Sequence, residues 1–191
     1  MRQFKLYVDM DGLLTAWDDS IRLLGPGALK GLPDNAPSED KQAMYDAIEA
    51  AGEPFWADMR WEPEGKKLWA WLKQFHPILL SSPGKFKYAE SGKIQWVNKN
   101  IPGTQLFLSE DKWEYAERNS ILIDDMQENI GSWEQRGGIG ILYDGNAEST
   151  KEKVLNAIRS ISPSRAEQAF IPDILRDISK AICSHSHFHR A

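Results

Sequence analysis

The chain has 191 residues, of which 41% are hydrophobic and 27% are charged, and its formal net charge is −5. This length predicts one domain with room for a small insertion, and the negative charge argues against binding to a nucleic acid polymer. No apolar run reaches the roughly 18 residues that a membrane-spanning helix needs, so we expect no membrane association. The single Cys183 cannot form an internal disulfide, which fits a reducing compartment, and we expect a cytoplasmic protein.

Five short apolar runs, bounded by polar, proline or glycine residues, predict buried β-strands. They cover residues 4–8, 78–80, 105–108, 121–123 and 139–143. Helical patterns lie between these runs. An apolar stripe marks the first helix, and two more are predicted over residues 86–99 and 127–136, the latter closed by Gly137. The stripe consists of Leu68, Trp71, Leu72 and Phe75. The alternation of strands and helices predicts an α/β fold with a three-layer, Rossmann-like parallel sheet.

Residues 18–65 interrupt the alternation, because nearly fifty residues are too long for a simple crossover between two strands. We interpret them as a small, mainly helical cap inserted after the first strand, with one helix at about 39–51. The predicted catalytic core comprises residues 1–17 and 66–163. It ends in a helix over about 149–161, and a further helix and tail cover residues 164–191.

Polar residues occupy the carboxyl ends of three predicted strands. Asp9 and Asp11 follow the first strand, Ser81 and Ser82 the second, and Asp124 and Asp125 the fourth. Ligands of open α/β sheets bind at those ends, so the fold gathers four carboxylates and two hydroxyls in one place. Two like charges about 4 Å apart repel each other by roughly 4 kcal/mol at an effective dielectric constant of about 20. A cation relieves this repulsion, and an all-oxygen donor set favours Mg²⁺.

Carboxylates, Mg²⁺ and nearby lysines together suit phosphoryl transfer, because the cations allow a dianionic phosphate to enter. The candidate lysines are Lys85, Lys93 and Lys112. Asp9 is the candidate nucleophile, forming an aspartyl-phosphate, and Asp11 is the candidate general acid and base.

These segments, VDMDG, LLSSP, a lysine and LIDD in that order, resemble the four motifs of the haloacid dehalogenase-like (HAD) phosphohydrolases. The chain is most similar to the 5′(3′)-deoxyribonucleotidase branch of that superfamily. The branch has an aromatic residue after DMDG, a DK pair before LIDD, and then a tryptophan and a glycine-rich turn. Their counterparts in this chain are Trp17, Asp111, Lys112, Trp133, Gly137 and Gly138. The similarity spans about residues 4–145.

The resemblance implies a role for each matching residue. Asp9 would be the nucleophile and a Mg²⁺ ligand, and Asp11 the acid and base that also binds the metal through its carbonyl oxygen. Asp124 and Asp125 would complete the metal site. Ser81, Ser82, Lys85 and Lys112 would bind the phosphate. Lys93, expected to be catalytic, or Lys112 would neutralise charge on the nucleophile and the phosphate. Trp17, Phe55 and Trp56 would form an aromatic pocket for a base, although a cap of this size also needs a small core of its own.

The expected activity is therefore Mg²⁺-dependent hydrolysis of nucleoside 5′-monophosphates, ribo or deoxy. Three alternatives stay open at this point: a HAD phosphatase for another small phosphoester such as a sugar phosphate, a phosphatase for nucleic acid 3′ ends, and a non-catalytic binding domain. The acidic charge weighs against the second. The presence of all four motifs weighs against the third. The base preference, the oligomeric state and the role of residues 164–191 do not follow from the sequence.

Overall fold

The computed structural model describes residues 4–25 and 38–161. The further helix predicted from Ser164, the rest of the tail and residues 26–37 of the insertion lie outside the described residues. The five strands of the sheet are β1 (Lys5–Val8), β2 (Ile78–Ser81), β3 (Leu106–Leu108), β4 (Ser120–Asp124) and β5 (Ile139–Leu142). Each corresponds to one of the predicted apolar runs.

The strands form one all-parallel sheet in the order β3-β2-β1-β4-β5, which confirms the predicted fold class. The central strand is β1, in which Val8 is paired with Leu79 of β2 and with Ile123 of β4. The sheet therefore places the chain segment after β1 between the segments that follow β2 and β4. This placement determines which polar residues meet.

Helices cover both faces of the sheet. They are α1 (Trp17–Leu23), α2 (Ser38–Ala51), α3 (Glu53–Ala57), α4 (Pro63–Leu72), α5 (Ala89–Asn100), α6 (Gln127–Gln135) and α7 (Ala147–Ile161), with 3₁₀ turns at Lys73–Phe75 and Lys112–Tyr115. The main core includes Leu6 and Val8 of β1, whereas Tyr7 points to a second cluster with Trp133 of α6. Alternate side chains of β1 thus enter two cores, as expected for a sheet between two helical layers.

The chain between β1 and β2 contains more helix than predicted. The expected helix at about 39–51 is present as α2, but the prediction missed α1 and α3. These helices have seven and five residues, shorter than the window of about 11 residues in which a helical apolar pattern can be recognised. Packing on α5 fixes α3, since a Cβ added at Gly92 of α5 would lie 2.4 Å from Trp56 Cβ. Phe55 and Trp56 belong to the main hydrophobic core.

The structure also tests two helix ends that were predicted from the sequence. The helix predicted from residue 86 begins at Ala89, because residues 86–89 first form a turn in which the N–H of Ala89 donates to the carbonyl of Phe86. The Phe86 ring lies 5.3 Å from that of Trp56. The cap predicted at Gly137 is confirmed, since Gly137 has a φ of 88° and its N–H donates to the carbonyl of Glu134. Within the described residues, no helix combines the length and apolarity needed to cross a membrane.

Candidate active site

The two acidic turns lie side by side at the carboxyl end of the sheet. Asp9 directly follows β1, and its N–H donates to the carbonyl of Ile123 over 2.9 Å, which brings it next to Asp124 at the end of β4. Gly12 has a φ of 72°, and a Cβ at that position would lie 2.1 Å from Asp125 Oδ2. The backbone of the first turn therefore approaches the second turn as closely as only glycine permits.

Three carboxylates converge at this point. Asp9, Asp124 and Asp125 each present a carboxylate oxygen, and these three atoms lie within 4.8 Å of one another. Asp9 Oδ1 is buried and accepts no well-aligned hydrogen bond from the described residues. Burial, together with the charge of Asp9, raises the pKa of Asp124, and burial with Asp9 and Asp124 raises that of Asp125 to about 7. A set of carboxylate oxygens that repel one another fits a hard divalent cation such as Mg²⁺.

Lys112 provides the positive charge inside this cluster. Its Nζ lies 2.7 Å from Asp9 Oδ1 and 2.7 Å from Asp124 Oδ2, and its side chain is only 4% exposed. Burial alone would lower the pKa of Lys112, but the charges of Asp9 and Asp124 outweigh burial and raise the pKa above its usual value. Lys112 therefore stays charged at neutral pH. The sequence left open whether Lys93 or Lys112 lies beside Asp9, and the structure places Lys112 there.

Asp124 is oriented by groups that the sequence reasoning missed. Asn129 Nδ2 lies 3.0 Å from Oδ1 and 3.1 Å from Oδ2 of Asp124, and the N–H of Met126 donates to Oδ1 over 2.9 Å. Both donors come from the start of α6 or the residue before it. In the sequence, the feature that could have indicated this contact is the polar residue Asn129 in the first turn of the helix predicted after LIDD. Hydrogen bonds of this kind hold a metal ligand in one rotamer.

Asp11 belongs to a second, separate group. Lys93 Nζ lies 2.7 Å from Asp11 Oδ2 and donates to Ser81 Oγ over 3.1 Å and to the carbonyl of Ser82. Thr15 Oγ donates to Asp11 Oδ1 over 3.0 Å. Lys93 and Ser81 are buried. The site thus contains two lysines with different partners, one beside Asp9 and one beside Asp11.

The loop after β2 has an unexpected partner. Ser82 Oγ donates to Glu110 Oε2 over 2.6 Å, and the N–H of Gly84 donates to Glu110 Oε1 over 2.8 Å. Glu110 lies two residues after β3 and two before Lys112, and it was absent from the predicted site. Lys85 is exposed and forms no ion pair with residues in the described ranges.

The predicted aromatic residues form one cluster. The Trp17 ring lies 5.7 Å from that of Phe55 and 5.4 Å from that of Trp56, and Trp56 also faces Lys93 Nζ at 5.2 Å. Phe55 and Trp56 are buried, whereas Trp17 and Phe86 keep part of their surface exposed. Within this cluster Trp17 and Phe86 are therefore the residues that keep solvent exposure.

Comparisons with known proteins give distant similarities only. No family model matches the chain, and the search of curated proteins also finds no match. A hydrolase from Pseudomonas syringae is similar in structure at 14% identity, covering 84% of this chain and 100% of that chain, with a TM-score of 0.44. The HAD domain of the effector protein Lem4 from Legionella pneumophila is similar at 10% identity, covering 84% and 97%, with a TM-score of 0.44.

Proposed function

We propose that the protein is a Mg²⁺-dependent phosphomonoesterase that hydrolyses nucleoside 5′-monophosphates, ribo or deoxy, through a phosphorylated Asp9. The observation that carries this proposal is the position of Asp9. Its buried carboxylate follows the central strand, faces two further carboxylates and lies 2.7 Å from a buried lysine. A second carboxyl, that of Asp11, lies two residues further along the same turn.

The residues fit the requirements of phosphoryl transfer. Asp9, Asp124 and Asp125, with the carbonyl of Asp11, would hold Mg²⁺, which when bound supplies the positive charge that a dianionic substrate needs. Lys112 limits the repulsion between the Asp9 carboxylate and the incoming phosphate. Lys93 and Ser81 supply donors on the side of Asp11. Fixed charges and donors of this kind account for most of the catalysis expected in phosphoryl transfer.

The reaction follows in two steps. In the first, a carboxylate oxygen of Asp9 attacks phosphorus, the bond from phosphorus to the ester oxygen breaks, and Asp11 gives its proton to the departing alcohol. In the second, Asp11 takes a proton from water, the water oxygen attacks phosphorus, and the bond to Asp9 breaks to release inorganic phosphate. Lys93 and Thr15 hold the Asp11 carboxyl in place for both transfers.

The aromatic cluster supports a nucleotide as the substrate. Trp17 and Phe86 are partly exposed, and their common neighbour Trp56 faces Lys93 at the site. A flat base stacked on such rings gains about 1–3 kcal/mol, which a sugar phosphate would not gain. Preference for a sugar phosphate over nucleotides would instead favour the alternative substrate class.

The test is phosphate release from ribo- and deoxyribonucleoside 5′-monophosphates, sugar phosphates and p-nitrophenyl phosphate, with Mg²⁺ and with a chelator. We expect nucleotides to be the best substrates and the chelator to abolish turnover. The variant Asp9→Asn should fold normally and lose turnover by at least about 10³-fold, as expected for removal of a nucleophile. Asp58→Asn, an exposed aspartate paired with Lys99, is the matched control and should keep full activity. Turnover retained in Asp9→Asn would remove Asp9 from this role.

A further inference from the structure

Glu110 has no role in the chemistry above, yet its carboxylate is held in one position. Ser82 Oγ donates to one oxygen at 2.6 Å and the N–H of Gly84 donates to the other at 2.8 Å. Two donors on the two oxygens of one carboxylate fix its orientation, unlike that of a freely rotating surface glutamate. The negative charge of Glu110 therefore occupies a defined place beside the loop that follows β2.

This place belongs to the same end of the sheet as the active site. The loop residue Ser82, whose hydroxyl binds Glu110, uses its carbonyl to accept a hydrogen bond from Lys93. Lys112, two residues after Glu110, contacts Asp9. Asp9 and Ser81 are buried, whereas the contacts of Glu110 with Ser82 and Gly84 are exposed. Glu110 consequently lies at the outer rim of the site, away from the buried carboxylate of Asp9.

The charged side chains around the carboxyl ends of the strands leave little positive charge to bind a second anionic group. The carboxylates are those of Asp9, Asp11, Asp124, Asp125, Glu110 and Asp111, and the ammonium groups are those of Lys85, Lys93 and Lys112. Six carboxylates against three lysines give a net charge of −3, of which one Mg²⁺ balances two charges. Lys93 and Lys112 are already paired with carboxylates. The site therefore has no net positive charge left for an anionic group beyond the phosphoryl group that contacts these cations directly.

We infer that Glu110 is a specificity-determining residue that restricts the site to substrates whose transferred phosphoryl group is their only anionic group. The inference rests on the proposed function and narrows its substrate class. A second phosphate or a carboxylate on the leaving group meets the fixed negative charge of Glu110 at the rim. The hydroxyl of Ser82 serves to hold Glu110 in place rather than to bind the transferred phosphate.

The test compares pairs of substrates that share an ester bond and differ in one anionic group. One pair is deoxythymidine 5′-monophosphate and deoxythymidine 3′,5′-bisphosphate, and the other is phenyl phosphate and 4-carboxyphenyl phosphate. The measured quantity is the ratio of kcat/KM within each pair. In Glu110→Gln the side chain keeps its length and an oxygen acceptor for Gly84 but loses its charge. We expect the preference for the singly anionic member to fall about tenfold, the size expected for one like charge near a protein surface.

The matched control is Glu114→Gln, which removes an exposed carboxylate four residues along and should leave both ratios unchanged. A second measurement needs no variant. Raising the salt concentration from about 20 mM to about 0.5 M should reduce the preference of the unmodified protein several-fold, because salt screens repulsion between exposed charges. If salt increases the preference, the second group is attracted and the inference is wrong.

The outcomes separate this inference from the proposed function. Absence of phosphate release from every ester refutes both. Hydrolysis of phenyl phosphate but not of nucleotides refutes the nucleotide proposal, and the aryl pair still tests Glu110. If Glu110→Gln and Glu110→Ala lower kcat equally for both members of a pair, Glu110 only supports the loop and the inference is overturned. A preference that persists unchanged in Glu110→Gln also overturns it.

Discussion

Replacement of Lys112 by methionine tests the electrostatics of the site without any assumption about the substrate. Methionine is close to lysine in length and fills the space of its aliphatic stem, so the change removes charge more than volume. Lys112 is 4% exposed and lies 2.7 Å from carboxylate oxygens of both Asp9 and Asp124. In Lys112→Met these two buried carboxylates face each other without a counter-charge.

The expected loss of stability follows from that burial. Removing one partner of a buried ion pair typically costs about 3–5 kcal/mol in the free energy of unfolding, and Lys112 serves two carboxylates. We therefore expect Lys112→Met to lose about 4 kcal/mol at pH 8 in the absence of metal. The control Lys99→Met removes a lysine whose pair with Asp58 is 65% exposed on both sides, and it should cost less than about 1 kcal/mol.

The loss of stability in Lys112→Met should depend on pH. The pKa of Asp124 is already raised by burial and by the charge of Asp9, and Lys112 opposes that rise. Without Lys112 the pKa of Asp124 should rise further, and a carboxyl raised in this way loses folding stability as the pH rises from its unfolded pKa to its folded pKa. The penalty should therefore be largest at pH 8 and shrink toward pH 5, where Asp124 takes up a proton. Urea unfolding at several pH values, monitored by circular dichroism, measures it. An equal, pH-independent loss in Lys112→Met and Lys99→Met would refute the reasoning.

Two further predictions concern the contact between the acidic turns. Gly12→Ala and its control Gly145→Ala both place a side chain at positive φ, at a cost of about 1–3 kcal/mol. Only the Cβ at residue 12 meets a neighbour, Asp125 Oδ2 at 2.1 Å, so only Gly12→Ala should lose Mg²⁺ binding, measured by isothermal titration calorimetry. The raised pKa of Asp125, about 7, means that the metal-free fold loses stability as the pH rises from about 4 through 7. Mg²⁺ should therefore raise the melting temperature more at pH 8 than at pH 6. In Asp125→Asn this difference between the two pH values should be much smaller. An equal rise at both pH values in the unmodified protein would contradict the role of Asp125 as a metal ligand.

The sheet was predictable because every strand is a short apolar run that ends at a polar or glycine-containing segment. The run at residues 121–123 stops at Asp124, and in a parallel sheet the ends of neighbouring strands share one edge. That rule alone placed Asp9 near Asp124 without any knowledge of the pairing. The sequence did not predict the short helices α1 and α3, because no local pattern marks them. Their stability comes from contacts such as that between Trp56 and Gly92, which no local pattern records.

The partners of each charged residue were not predictable. Lys93 and Lys112 are both lysines near acidic motifs in the sequence, and only the three-dimensional positions of α5 and of the turn after β3 separate their roles. Asn129 and Glu110 went unnoticed because a polar residue in a turn or at a helix start is common without any function. In each case the missing information was the direction of a side chain.

The separation of the two lysines explains how one small site can hold two carboxylates with different tasks. In the proposed reaction Asp9 attacks phosphorus, and the Lys112 ammonium lies 2.7 Å from its carboxylate as a fixed counter-charge. In the same proposal Asp11 hands over a proton and takes one back, so its carboxyl needs to be held in place while it changes charge. Lys93 and the hydroxyl of Thr15 contact different oxygens of Asp11, and the Lys93 ammonium also keeps partners in Ser81 and the carbonyl of Ser82. Because these partners do not depend on the charge of Asp11, Lys93 retains its position when Asp11 takes up its proton.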